Sequence, residues 1–137
     1  ELRQAGGEYG AATGRPRRVG PFDAVASRYG LKCQNADQIA LTKLDVLSSL
    51  KEIPLIIAYQ KGGQRSTEFD PTEDMDNCIP VIEMVPGWQK DISGCRTYEE
   101  LPKNARNYIE TLERLLNHKI QMISVGARRD QYLMKEI

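Results

Sequence analysis

The sequence predicts an α/β fold: a mostly parallel sheet flanked by helices, with an antiparallel hairpin added. Short apolar runs at 39–41, 54–59, 80–85 and 119–126 alternate with segments of helical periodicity. Gly62-Gly63 lies just beyond one of these runs as a hairpin turn signal. Residues 105–116 carry the clearest apolar stripe in the chain.

Residues 1–20 are rich in Gly and Arg, show neither helical nor strand periodicity, and read as an extended loop. From Pro21, the residues Phe22, Val25, Ala26 and Tyr29 follow the spacing of one helix face. Pro21 suits the first turn of that helix and Gly30 its end. Residues 39–41 form a strand ended by Thr42-Lys43-Leu44-Asp45, where Asp45 is placed to cap a helical turn at 46–50. Residues 54–59 are a continuous apolar strand. Gly62-Gly63 turns it toward 66–69, and 70–77 is an acidic loop. The strand at 80–85 stops at Pro86-Gly87, followed by Trp88, whose large apolar ring reads as a packing anchor.

Thr97 and Glu100 make a capping-box pattern, and Pro102 opens the next helix. On that helix Ala105, Tyr108, Ile109, Leu112, Leu115 and Leu116 form the packed face. Lys103, Arg106, Glu110, Glu113 and Arg114 fall on the wet one. Strands at 119–126 and 131–137 complete the pattern. No period of 20 to 50 residues marks a repeat architecture.

Composition narrows the function. With 137 residues, 40% hydrophobic and 28% charged, the chain has the balance of one globular domain. Lys plus Arg and Asp plus Glu each total 19, so no overall basic field exists to gather nucleic acid, and any anion site is local. The longest apolar run, 53–59, is far short of the roughly 20 residues of a membrane-spanning helix. Cys33, Cys78 and Cys95 fit neither a disulfide framework nor a zinc cluster, which suggests a reducing, cytoplasmic setting. His118 is the only histidine and reads as an exposed helix-end residue. The chain opens on Glu1-Leu2-Arg3-Gln4 without an initiator Met or leader pattern, and reads as a piece of a longer protein.

Three segments could bind a ligand. Between Gly10 and Arg18, glycines, the Thr13 hydroxyl and the guanidiniums of Arg15, Arg17 and Arg18 suit a phosphate or carboxylate. The bland alternative is a solvated basic loop. Thr42-Lys43-Leu44-Asp45 resembles the guanine-reading motif of GTP-binding proteins. There one carboxylate meets the N1–H and exocyclic amine of guanine, which adenine does not match; the alternative is Asp45 as a plain cap. Ser124-Val125-Gly126 ends a predicted strand, where open α/β sheets bind ligands, or is merely a tight turn. Asp23, Glu8 and Asp91 are acid-base candidates by type, but with no paired carboxylate or histidine nearby they form no catalytic set. There is no Gly-x-x-x-x-Gly-Lys phosphate loop.

Gly6-Gly7-Glu8-Tyr9-Gly10, Thr13-Gly14-Arg15-Pro16-Arg17-Arg18, Leu41 to Leu47, Pro86-Gly87-Trp88 and Ile123-Ser124-Val125-Gly126 together resemble the C-terminal portion of adenylosuccinate synthetase, in order and spacing, over nearly the whole chain. The resemblance implies the C-terminal part of a P-loop-NTPase-like fold in which 1–20 is a substrate-binding loop region and 39–50 and 119–127 are guanine-binding loops. It implies a GTP-dependent ligase joining IMP and L-aspartate through a 6-phosphoryl-IMP intermediate, in a cytoplasmic homodimer using Mg2+. Thr13, Gly14, Arg15 and Arg17 would then meet IMP and aspartate. Arg17, Lys43, Asp45, Ser124 and Gly126 would meet GTP. The catalytic residues, the phosphate loop and most magnesium ligation would lie upstream, leaving this piece inactive alone. Ala12, Pro21 and Ala127 depart from the usual Thr, Trp and Pro of the family. A noncatalytic guanine-nucleotide-binding module is the competing reading.

Overall fold

The computed structural model describes residues 1–136. At its centre is β3 (Glu52–Lys61), a strand paired along both edges. On one edge β5 (Ile79–Pro86) runs antiparallel to it from Glu52↔Pro86 to Gln60↔Ile79. On the other edge β1 (Phe22–Asp23) pairs parallel at Leu55 and Ile56, and β4 (Gln64–Ser66) pairs antiparallel beyond it. Gly62 and Gly63 take positive φ of 54° and 82° at the tight turn into β4, a backbone conformation that other residues adopt at a cost.

The unbroken apolar run at 55–58 has a specific cause. Ile53 and Leu55 point into the core, and the ladder with β5 then shifts register between Ile56 and Ala58. That bulge changes the parity of the strand, so Ala58 rather than Ile57 is the next fully buried side chain. Period-2 alternation is therefore lost from the sequence while each segment still keeps one face inward.

The second sheet has the order β2-β6-β7, built from β2 (Ile39–Leu41), β6 (Ile120–Ser124) and β7 (Tyr132–Met134). β2 and β6 are parallel, and β6 and β7 antiparallel. The α/β class holds, with parallel pairing confined to β1·β3 and β2·β6 among the described residues. The long helix, α3 (Lys103–Leu116), joins the sheets: Ala105, Tyr108, Ile109, Leu112 and Leu116 share one buried cluster with Leu55, Val85, Ile120, Ile123 and Leu133. Burying each such Leu or Ile contributes roughly 1.5–3 kcal/mol. Trp88 is the expected anchor. Its ring centroid lies 6.0 Å from that of Tyr108, and its indole N–H donates to Ser48 Oγ at 3.1 Å.

Several expectations need correction. The segment 1–20 is not wholly extended: α1 (Leu2–Ala5) is a helical turn closed by Gly6 N–H donating to Leu2 O. The helix expected from Pro21 to Gly30 is α2 (Ala24–Gln34). Its cap is Asp23, whose Oδ1 accepts from Ala26 N at 2.9 Å, and Asn35 at φ 48° ends it. Pro21 lies outside the helix, and Gly30 lies within it. The turn expected at 46–50 is a 3-10 turn over Leu44–Leu47 with Lys43, not Asp45, in the capping position. β4 ends at Ser66, short of residue 69, and 131–137 forms a strand only over Tyr132–Met134, with residue 137 outside the described range. The capping-box carboxylate serves a 3-10 turn (Tyr98–Glu100): Glu100 Oε2 accepts from Arg96 N at 2.6 Å and Thr97 N at 3.4 Å. His118, following Asn117 at the end of α3, is half-buried, its Nδ1 3.1 Å from Leu116 O.

The main packing surprise is Glu113, assigned above to the wet face yet only 8% exposed. Oε1 accepts from Ile120 N at 2.9 Å, and Oε2 accepts from Lys135 Nζ at 2.6 Å. Burial alone pushes this carboxyl upward, but the Lys135 ammonium and the Ile120 N–H outweigh it and hold the pKa below the usual value. The clasp ties α3 to the start of β6 and the segment after β7. A folded pKa below the unfolded one contributes stability that is present above the unfolded value of about 4.3 and is lost as pH falls through the folded one. Glu113→Gln is expected to lower stability by about 2 kcal/mol at neutral pH, and the gap from the parent protein should close on acidification. Thermal denaturation at about pH 7 and about pH 3 tests this; a gap that does not change with pH contradicts it.

Candidate functional site

Parallel pairing of β2 with β6 sets Leu41 opposite Ile123, so the loops that follow the two strands leave the same carboxyl end of the sheet side by side. One carries Lys43 and Asp45, the other Ser124 and Gly126. Leu44, 1% exposed, anchors the first loop in the core. Lys43 before it takes φ 60°, a conformation that costs a lysine of order 1 kcal/mol and must be held from outside. Its Nζ supplies the hold, donating to Gly6 O at 2.9 Å and to the Glu8 carboxylate. Asp45 is half-buried, and among the described residues its carboxylate has no hydrogen-bond or ion-pair partner. Two acceptor oxygens are available to a ligand.

The second loop is held from within. Ser124 Oγ donates to Gly126 O at 3.1 Å, and the buried Val125 donates its N–H to Gln131 O. The Gln131 carboxamide fills the space beside Gly126: its Oε1 accepts from Arg128 N at 2.9 Å and its Nε2 donates to Ser93 O at 3.2 Å. A Cβ at position 126 would collide with that carboxamide and displace it, so what glycine supplies here is room rather than positive φ.

Residues 8–17 form a small hairpin. Tyr9 bridges Pro16, Gly10 N–H donates to Arg15 O, and Arg17 N–H donates to Glu8 O. Gly14 supplies the turn at φ 65°, and Thr13 Oγ1 accepts from Arg15 N at 3.3 Å. Thr13, Gly14, Arg15 and Arg17 are thereby gathered on one exposed tongue. Glu8 joins this tongue to the loop after β2: one of its oxygens accepts from Arg17 Nη1 at 3.1 Å and the other from Lys43. Those bonds, Lys43 first, hold the Glu8 carboxyl below the usual range. Beside the junction is a cleft of about 360 Å3 whose lining includes Glu8, Arg18, Thr42 and Lys43. Of the residues that the family resemblance assigns to ligands, Lys43 borders it; Thr13, Gly14, Arg15, Arg17, Asp45, Ser124 and Gly126 do not.

Two candidates considered for acid-base work have structural partners instead. Asp23 caps α2 with one oxygen and accepts from Tyr59 Oη at 2.5 Å with the other; burial first, and this bond second, push the Tyr59 pKa up to about 12. Asp91 accepts from both the N–H and the hydroxyl of Ser93. The role of Glu8 was missed because its partners lie 9 and 35 residues away. The Gly6-Gly7 step before it was the only local hint.

The family model for adenylosuccinate synthetase matches residues 1–133. The chain belongs to that family. It is 50% identical to the adenylosuccinate synthetase of Trichlorobacter lovleyi and 47% identical to that of Saccharopolyspora erythraea, in both cases over 98% of the present chain. The solved structure of fully ligated adenylosuccinate synthetase from Plasmodium falciparum superimposes with a TM-score of 0.91 at 40% identity, again covering 98% of this chain. The chain spans 31% and 32% of the two curated relatives and 33% of the solved one, about a third of an adenylosuccinate synthetase.

Gly126→Ala is expected to expel the Gln131 carboxamide and lower stability by about 1 kcal/mol. Adding Gln131→Ala to it should then cost less than Gln131→Ala alone. A double-mutant cycle read by thermal denaturation measures the coupling; additive losses would mean that the two residues do not share this space.

Proposed function

We propose that the chain is the C-terminal portion of a GTP-dependent ligase that joins IMP to L-aspartate, and that it carries the base-reading loops and the substrate hairpin. The observation that carries the reading is the parallel β2·β6 pair, which sets the partner-free Asp45 carboxylate on the loop beside Ser124 and Gly126. A carboxylate with both oxygens available matches the paired N–H donors on one edge of guanine and mismatches adenine. Lys43, fastened at its tip, leaves its aliphatic stem to lie against the base. Ser124 and Gly126 line the same pocket.

On the hairpin, Thr13 and the backbone at Gly14 hold the aspartate carboxylate. Arg15 reaches the IMP ribose and aspartate, and Arg17 lies between the aspartate and GTP subsites. In the whole enzyme the 6-oxygen of IMP takes the γ-phosphoryl group of GTP, releasing GDP. The aspartate amine then attacks C6, the C6–O bond breaks, and phosphate leaves as adenylosuccinate forms. The task of these residues is positioning and charge neutralisation, the main protein contribution in phosphoryl transfer.

Among the described residues no three His, Cys, Asp or Glu side chains converge as a metal site. Magnesium ligation, the phosphate loop and the proton-transfer groups belong in this reading to the remaining two thirds of the enzyme. A third alone is then inactive. No helix among the described residues is long and apolar enough to cross a membrane. The reading takes the enzyme as a cytoplasmic homodimer, as the family resemblance implies.

In the full-length enzyme, Asp45→Asn is expected to lower kcat/KM for GTP by at least about tenfold, or about 1.4 kcal/mol, while relaxing the preference for GTP over ATP. Steady-state kinetics with both nucleotides checks it, and an unchanged preference rejects the base-pocket assignment. Arg15→Leu should raise KM for both IMP and aspartate with a smaller effect on GTP; unaltered IMP and aspartate kinetics would remove Arg15 from the site.

A further inference from the structure

Glu8 has no ligand role in the scheme above, yet it is the only side chain bonded to both the substrate hairpin and the base loop among the described residues. Its side chain is 22% exposed, against 55% for Arg17 and 50% for Lys43, so it is the most covered of the three. Its backbone is fixed as well: the N–H donates to Arg3 O at 2.8 Å and the carbonyl accepts from Arg17 N at 2.9 Å. Arg3 Nε adds a bond to Arg17 O at 2.7 Å, and the Gly6 carbonyl takes a second proton of the Lys43 ammonium. One anion thus serves two cations that belong to different loops. Without it, Lys43 at its left-handed φ and Arg17 on its exposed hairpin would lose their common reference point and repel each other.

We propose that Glu8 is a positioning residue that couples the two subsites, so that filling the guanine pocket orders Arg17 for aspartate and filling the aspartate site orders Lys43 for the base. The inference rests on the ligase reading given above. Its physical basis is shared ordering. A ligand that immobilises Lys43 also immobilises the carboxylate to which it is bonded, and the second oxygen of that carboxylate then holds Arg17 at a reduced entropic cost. By linkage the effect is reciprocal for binding.

The test uses the full-length enzyme with IMP at saturation. The Kd of L-aspartate is measured calorimetrically with and without GDP, and that of GDP with and without L-aspartate. The parent enzyme should show each ligand tightening the other by the same factor, about fivefold or more. Glu8→Gln, with a parent-like Tm, should bring that factor close to one. Glu8→Asp, too short to reach both cations but still charged, should fall between and serves as the second variant if Glu8→Gln folds poorly. A merely structural role would weaken both ligands and leave the factor intact. That result, or a factor of one in the parent enzyme, overturns the proposal. The two readings fail differently. If Asp45→Asn leaves nucleotide preference untouched, the base-pocket assignment falls and this inference with it; if that preference responds while Glu8→Gln keeps the coupling, only the inference fails.

Discussion

The candidate site depends on one ladder, the parallel pairing of β2 with β6. Parallel neighbours need a crossover, and here it includes the β3 hairpin, β5 and α3. What the crossover delivers is coincidence of ends: two loops far apart in sequence leave one carboxyl end of the sheet together. The apolar stripe of α3 buries Ile120, Ile123 and Leu133 and so fixes that end in place. Packing of one helix face and geometry of the candidate site loops are therefore parts of the same construction.

The fold was largely legible because its signals are local. The α3 stripe, the short 39–41 strand, the Gly62-Gly63 turn and the Trp88 anchor each follow from residues close together in the chain. Errors arose where a tertiary partner decided the outcome. Phe22 has helical spacing with Val25, Ala26 and Tyr29, but an available edge of β3 takes Phe22 and Asp23 as a strand and leaves Asp23 to cap the helix. Glu113 looked like a surface residue until Lys135 and the Ile120 N–H met it from other elements. The bulge at Ile57 hid the two-residue period of β3.

The site was legible in a similarly divided way. The residue types that suit guanine and anions could be read because each group sits within one short segment. The link between those segments could not, since an ion pair between Glu8 and Lys43 leaves no periodic trace in sequence. The positive φ of Lys43 was equally hidden; only the anchoring of Leu44 below and the fastening of the ammonium above explain why a lysine accepts it. In sequence Gly126 suits a tight turn, whereas in the fold it leaves room for the Gln131 side chain lying against it.

The indole of Trp88 has a use beyond packing. It is the single tryptophan of these 137 residues, and it is hydrogen-bonded to Ser48, the residue that closes the 3-10 turn after Lys43. A shift of that turn changes the polarity and hydrogen bonding around the ring, the two properties that govern where an indole emits. The fold thus carries an intrinsic optical reporter, placed a few residues beyond the loop proposed to read the base and requiring no dye to observe it.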